Sequence, residues 1–540
     1  MTTISKSAFI TAAKNNNAKI IQDYISTGAY INVKDEEGET ALHWASIKGN
    51  TECVKFLIEA GANINLQDND DHTALHWASI KGCTKCVKLL IDAGANVNLQ
   101  DENDRTALHW ASIKSNNECV KLLIEAGTVI NLQDDNDHTA LHWASIKGNT
   151  GCIKLLIRAC VNLNVRDNLG DTALHWASVK GNTECVKLLI RAGADINVQT
   201  KNGYTALYYA SQESNAECVA FLIRAGAKLN VQDKLGYTAL HWASIKGNTE
   251  CVKLLIEAST EPNVQDKWDF MALRSVAEEG DTECIKLLID AGADLNIQDK
   301  MGYTTLHWAS IKDNDECATL LIIAGADLNV QDQLGDTALH CASIQGHTKC
   351  IKLLIDAGAN FNIQTKDGCT ALYCASQEGN MMCVKLLIGG GADLKVQTKD
   401  GYTALHQASR NGHSECINLL VDAGADLNVQ DDNGHTALHQ ASIKGRAECV
   451  KLLIESGADL NVRDKTYCTA LHYAMFEGNT ECIKFLKSAT ITKIQSIIRM
   501  YLKRINYLEI LSLKPGGNLY FELKNEFESL KKDKNSNGLL

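Results

Sequence analysis

A threonine, or the residue standing in for it, recurs every 33 residues from Thr40 to Thr469, fourteen times without insertion or deletion. Each opens a variant of Thr40-Ala41-Leu42-His43-Trp44-Ala45, followed at fixed offsets by Gly49, Cys53, Gly61 and Asn65. A chain of 540 residues would ordinarily divide into three or four domains. A strict period of this length instead predicts one supersecondary unit repeated, each copy burying its faces only against its neighbours. Length then sets how many units are stacked, and the two ends need covering.

One copy, Asp35 to Gln67, carries its own punctuation. Asp35-Glu36-Glu37-Gly38 reads as a tight turn whose glycine supplies a positive φ. Thr40 caps a first helix, and Leu42 and Ala45 face its partner. Gly49-Asn50 turns the chain and Thr51 caps a second helix, to which Cys53, Val54, Phe56, Leu57 and Ile58 give an apolar face before Gly61 ends it. Glu52 and Lys55, three apart, pair on the outer surface.

This unit resembles the ankyrin repeat, and the resemblance covers roughly residues 5 to 487. It implies an all-α repeat solenoid in which a β-turn finger alternates with an antiparallel helix pair. Ala41 stands where the family has proline. The family uses the histidine of the motif to tie the capping threonine to neighbouring loops. Eleven copies of it, from His43 to His472, therefore read as structural. The expected organisation is a degenerate N-terminal capping repeat over 1–34, fourteen repeats over 35–487, an amphipathic basic helix over 488–513, and a short polar helical tail over 514–540.

Fourteen of the twenty cysteines share the period, from Cys53 to Cys482. Equivalent positions lie a full layer apart, beyond the ~7 Å reach of a disulfide, so these thiols read as small core residues in a reducing cytosol. Cys83-Thr84-Lys85-Cys86 is a solitary C-x-x-C, and Cys341, Cys350, Cys374 and Cys383 could gather across two repeats. Tetrahedral zinc needs four converging ligands, so packing rather than metal binding is the expected role at both places. No cofactor or metal is implied. Met1 to Ile10 lacks the apolar core of a signal peptide and no stretch reaches the ~20 apolar residues of a membrane span, which predicts a cytoplasmic protein. Net charge is −12, and such a field repels a phosphate backbone, so nucleic acid is not an expected partner.

Because the scaffold explains only stability, departures from it carry the functional reading. Around residues 259–279 the helix exit becomes Ser259-Thr260, Pro262 enters, Met271 replaces the threonine and Arg274 the histidine. A weakened interface, a changed twist or simple drift would each produce this. Ankyrin partners are most often bound by finger tips and the concave face of the first helices. Tyr204, Tyr237, Phe270 and Tyr303 precede four consecutive threonine positions, with Leu235, Trp268 and Met301 on the same fingers. They would form either an exposed aromatic strip suited to a protein partner or rings lying flat between fingers. Lys48, Lys81, Lys114 and Lys147, each after an isoleucine, form a row suited to an acidic or phosphorylated peptide, unless the copies merely record recent duplication.

After the array, Ile494-Gln495-Ser496-Ile497-Ile498-Arg499-Met500-Tyr501-Leu502-Lys503-Arg504 resembles an IQ motif, which implies a calmodulin-like EF-hand partner. Ile494, Gln495, Arg499 and Arg504 match it, and Met500 replaces the frequent glycine. The same face could instead cover the last repeat at Ile483, Phe485 and Leu486. The uninterrupted, near-identical copies resemble the ankyrin expansions of large DNA viruses, and the proline-glycine segment Leu513 to Gly517 is similar to their tails. Nothing resembles a phosphate-binding loop, a metalloprotease helix or a nucleophile elbow. A non-enzymatic protein-binding scaffold is the expected function, with an adaptor working through its tail as the alternative.

Overall fold

A computed structural model of the chain describes residues 5–268 and 270–512, with side chains as far as Tyr501. Its described residues form thirty α-helices and no strand. They fall into two compact units, Met1–Asp294 and Leu295–Leu540. Within each unit first helices pack on first helices and second helices on second helices, the layered arrangement of a repeat solenoid. The last residue of the IQ-like match, Arg504, lies in a helix by its backbone while its side chain is outside the described part, and so is the segment 513–540.

In the worked copy the first helix spans Ala41–Lys48 and the second Thr51–Glu59. Leu42, Ala45, Cys53, Val54 and Leu57 are almost wholly buried. A fully buried leucine contributes roughly 1.5–3 kcal/mol, but each layer exists only because the next one covers it. All fourteen periodic cysteines are buried, as their regular placement requires.

The finger hangs from one aspartate, half-buried in this copy and buried at Asp68, Asp101, Asp134 and Asp167. Asp35 accepts from the Glu39 amide at 2.8 Å and from the Trp44 indole at 2.7 Å, so its two oxygens hold the loop and pin it to the first helix. Trp77, Trp110, Trp143 and Trp176 donate in the same way to Asp68, Asp101, Asp134 and Asp167. At Gly203 an added Cβ would sit 2.8 Å from Asp233 of the next finger, so close stacking of the loops demands glycine there.

Two details differ from the sequence reading. Asn50 is the cap of the second helix and Thr51 its first residue, because the chain leaves the left-handed Gly49 with the Asn50 carbonyl already accepting from Val54. The Asn50 side chain reaches back to the carbonyl of Ala13 at 2.7 Å. On the outer surface Lys55 pairs with Glu59 one turn on, whereas the three-apart pair forms at Glu184–Lys187.

The irregular repeat has a concrete defect. Helix Ala272–Glu279 begins at Met271 with no side-chain cap, where other copies use threonine. Arg274 lays its guanidinium over the Phe270 ring at 3.5 Å and reaches Glu278 at 3.4 Å. A lost N-cap costs about 1 kcal/mol. Hydrogen exchange is therefore expected to be faster in Ala272–Glu279 than in the helix Ala140–Ile146. The paired change Met271→Thr with Arg274→His should slow it about fivefold. Unchanged exchange in that variant would remove the cap as the cause.

Candidate functional site

Each capping threonine and its histidine form one locked element. In all eleven copies Nδ1 accepts the threonine amide, as at Thr40–His43 (3.0 Å), with the threonine hydroxyl 2.8 Å away. In ten of them Nε2–H donates to a carbonyl 29 residues ahead, as His43 does to His72 at 3.1 Å. The geometry fixes the neutral, Nε2-protonated tautomer. Burial then holds His76, His142, His175 and His340 down at about 4. These rings are structural ties, as the family resemblance implies.

The residue before each threonine occupies a slot between its own finger and the next. His72 lies there with Nε2 3.3 Å from Asp101 and Nδ1 3.7 Å from Asp68. His138 bridges Asp134 and Asp167 likewise, and Arg105 reaches Asp134 at 3.5 Å. Acids in this slot meet the finger aspartate instead. Burial, with Asp35 and Asp68 nearby, pushes Glu39 up to about 7. Burial and the Asp167 charge push Asp171 up to about 6.

The aromatic residues fill the same slot and are half-buried rather than fully exposed. Tyr204 stacks on Tyr208 with centroids 4.4 Å apart, Tyr237 sits 5.8 Å from Trp242 and 6.2 Å from Trp268, and Phe270 lies beneath Arg274. In the second unit Tyr303 packs edge-on against Trp308 at 5.5 Å. Two positions nearer the tip the side chains are exposed: Leu169, Leu235 and Trp268 in the first unit, Met301 and Leu334 in the second. Sequence reading missed Leu169 and Leu334. Their shared offset, three before the threonine, was the available signal.

Lys48, Lys81, Lys114 and Lys147 are exposed at the ends of their first helices, each beside a half-buried isoleucine. The second helix of the last repeat runs on as a single helix, Thr480–Ser512. Every residue from Ile491 to Tyr501 is exposed, among them Ile494, Gln495 and Arg499 of the IQ-like segment. These residues do not fold back over the last repeat. Leu486 is buried without them, while Met475 and Phe476 stay uncovered.

Among the described residues no group of three or more metal-ligating side chains converges, and no helix is long and apolar enough to cross a membrane. No curated protein matches the chain. A family model described as ankyrin repeats (three copies) matches in overlapping windows from 9–101 through 405–496. Ankyrin repeats are in general protein–protein interaction modules, and their helical solenoids are typically binding scaffolds without catalysis. The histidine-locked helix pairs and a match spanning most of the length lead to one assignment: the chain belongs to the ankyrin repeat family.

Proposed function

We propose that this protein is a non-enzymatic scaffold that captures partner proteins on its finger tips, with the concave lysine row adding charge selection. The exposed apolar tips carry this reading. Leu169, Leu235 and Trp268 stand out from a surface that is otherwise polar at that offset, and half-buried Tyr204, Tyr237 and Phe270 support them from behind. Met301 and Leu334, with Tyr303 behind, repeat the arrangement in the second unit. Large apolar side chains held rigidly at a surface are the usual anchors of protein interfaces. Lys48, Lys81, Lys114 and Lys147 suit an acidic or phosphorylated peptide. Twenty cysteines without a disulfide fit the reducing cytoplasm.

The test is a variant carrying Leu235→Ser and Trp268→Ser, compared with wild type for the partners it retains and their affinities. Losing a central anchor commonly costs about 2 kcal/mol, roughly a thirtyfold fall in affinity. A folded variant that keeps every partner at unchanged affinity would refute tip capture. Reversing the four lysines to glutamate should abolish binding of acidic peptides only.

A second reading, an adaptor that couples the captured protein to a calmodulin-like partner or host factor, is favoured by the exposed helix 491–501. Ile494, Ile497, Ile498 and Tyr501 follow helical spacing, as a groove-binding target does. Calorimetric titration of the full chain with calmodulin, with and without calcium, should release heat that Ile494→Asp with Ile498→Asp removes. Absence of heat in both conditions would end the adaptor reading and leave tip capture standing.

A further inference from the structure

Second helices in this chain begin at a residue whose side chain always has work to do, with one exception. From Asn50 to Asn479 it either reaches back to a carbonyl of the preceding repeat, as Asn116 does to Ser79 at 2.7 Å, or accepts from its own first turn, as Asn149 does from the Cys152 amide. Even the substitutes His347 and Arg446 reach back. Cys83, the cap of helix Thr84–Asp92, does neither. Its sulfur instead lies 2.8 Å from that of Cys86.

We propose that Cys83 and Cys86 are a thiol modification site that reacts with low-molecular-weight disulfides and closes to a disulfide within one helix turn. Cys83 is half-exposed while Cys86 is fully buried, so an external disulfide can reach only Cys83. Burial, followed by the neighbouring Cys83 sulfur, pushes the Cys86 thiol up to about 12, which assigns the first attack to Cys83. The Cys83 thiolate attacks one sulfur of the small disulfide, forming a mixed disulfide and expelling one small thiolate. Cys86 sulfur then attacks Cys83 sulfur, the second small thiol leaves, and it takes with it the proton given up by Cys86. Two protein thiols and one small disulfide become one protein disulfide and two small thiols.

Geometry permits the closure. A cap residue and the third helical residue lie about 5–6 Å apart at Cα, inside the range a disulfide spans. Cys83 has φ −78° and ψ 82°, outside the helix, so its side chain can turn toward Cys86 without breaking intrahelical bonds. Other periodic thiols have no such neighbour. Thr51 is the polar group facing Cys86, with its hydroxyl 3.9 Å away.

Trypsin provides a direct readout because Lys85 lies between the two cysteines. The full chain is equilibrated in glutathione–glutathione disulfide buffers, quenched in acid, alkylated, digested without reduction and weighed. Peptide 82–85 joined to peptide 86–88, lighter by two hydrogens than their sum, is the expected product and should vanish with dithiothreitol. Cys86→Ser should trap glutathione on Cys83, and Cys83→Asn, which restores the residue used in neighbouring copies, should leave Cys86 unmodified. The proposal fails if wild type at excess glutathione disulfide shows a persistent adduct on Cys83 without the linked pair. A bond from Cys83 to Cys119, or two freely alkylated thiols, would overturn it equally. The wild-type result stands even if a variant does not fold.

Discussion

Acidification from pH 7 to pH 4 is expected to unfold this protein through its buried histidines. Ten buried histidines accept an amide at Nδ1, so protonation there places two hydrogens face to face and breaks the tie. Burial lowers the affinity of these rings for a proton below the ordinary 6.5, to about 4 at His76 and His175. A group whose folded value is depressed stabilises the fold above its unfolded value and loses that contribution as pH falls toward the folded one. The loss therefore runs from about 6.5 to about 4 and amounts to on the order of 3 kcal/mol for each such site.

Other groups oppose this. Burial works against a proton on His72, yet Asp101 and Asp68 outweigh it and raise its value, so its contribution is complete below 6.5 and fades as pH rises above that. Glu39 and Asp171, raised to about 7 and about 6, also favour the fold as pH falls. They are outnumbered by the ten rings. Melting temperature followed by circular dichroism should fall steadily below pH 6.5, and His175→Tyr, the residue found naturally at position 208 of the next copy, should blunt that fall. Equal melting temperatures at pH 7 and pH 5 would contradict this account.

Asp101→Ala should be among the most damaging single substitutions outside the apolar core. The carboxylate is buried and accepts from the Trp110 indole at 2.7 Å, the Arg105 amide at 2.9 Å and the Asn103 amide at 3.0 Å, with His72 3.3 Å away. These contacts outweigh the penalty of burial and hold its carboxyl down at about 2. Removing it strands several donors and leaves His72 without its closer carboxylate. The expected loss is about 3–5 kcal/mol, with Asp101→Asn intermediate because an amide oxygen still accepts. Urea denaturation measures this, and a loss below about 1 kcal/mol would show that the finger is held by something else.

What could be read from the sequence was equivalence, and what could not was orientation. The 33-residue period identifies which positions do the same job, so the helix pairs, the threonine cap, the linking histidine and the buried cysteines were all legible. It does not say which way a loop side chain points. Tyr237 and Leu235 are two residues apart on one finger, and only the fold shows the ring turned half inward and the leucine outward. The aspartate–tryptophan tie joins residues nine apart across a turn, a spacing belonging to neither helix nor strand periodicity. The cap of the second helix was misplaced by one residue because asparagine and threonine are both good caps and stand side by side. The last helix hid its length for a related reason: no glycine follows Leu486, and helical spacing continues unbroken into the tail.

Where the histidine tie is made it points one way along the chain, from its own copy to a carbonyl 29 residues ahead. During synthesis a helix pair that has just left the ribosome therefore still lacks an acceptor for its imidazole. It can be completed only after nearly a full further copy has been translated. Maturation should thus trail elongation by about one repeat, with the newest pair the loosest at every moment, and a translational pause would be least disruptive just after the next finger has emerged.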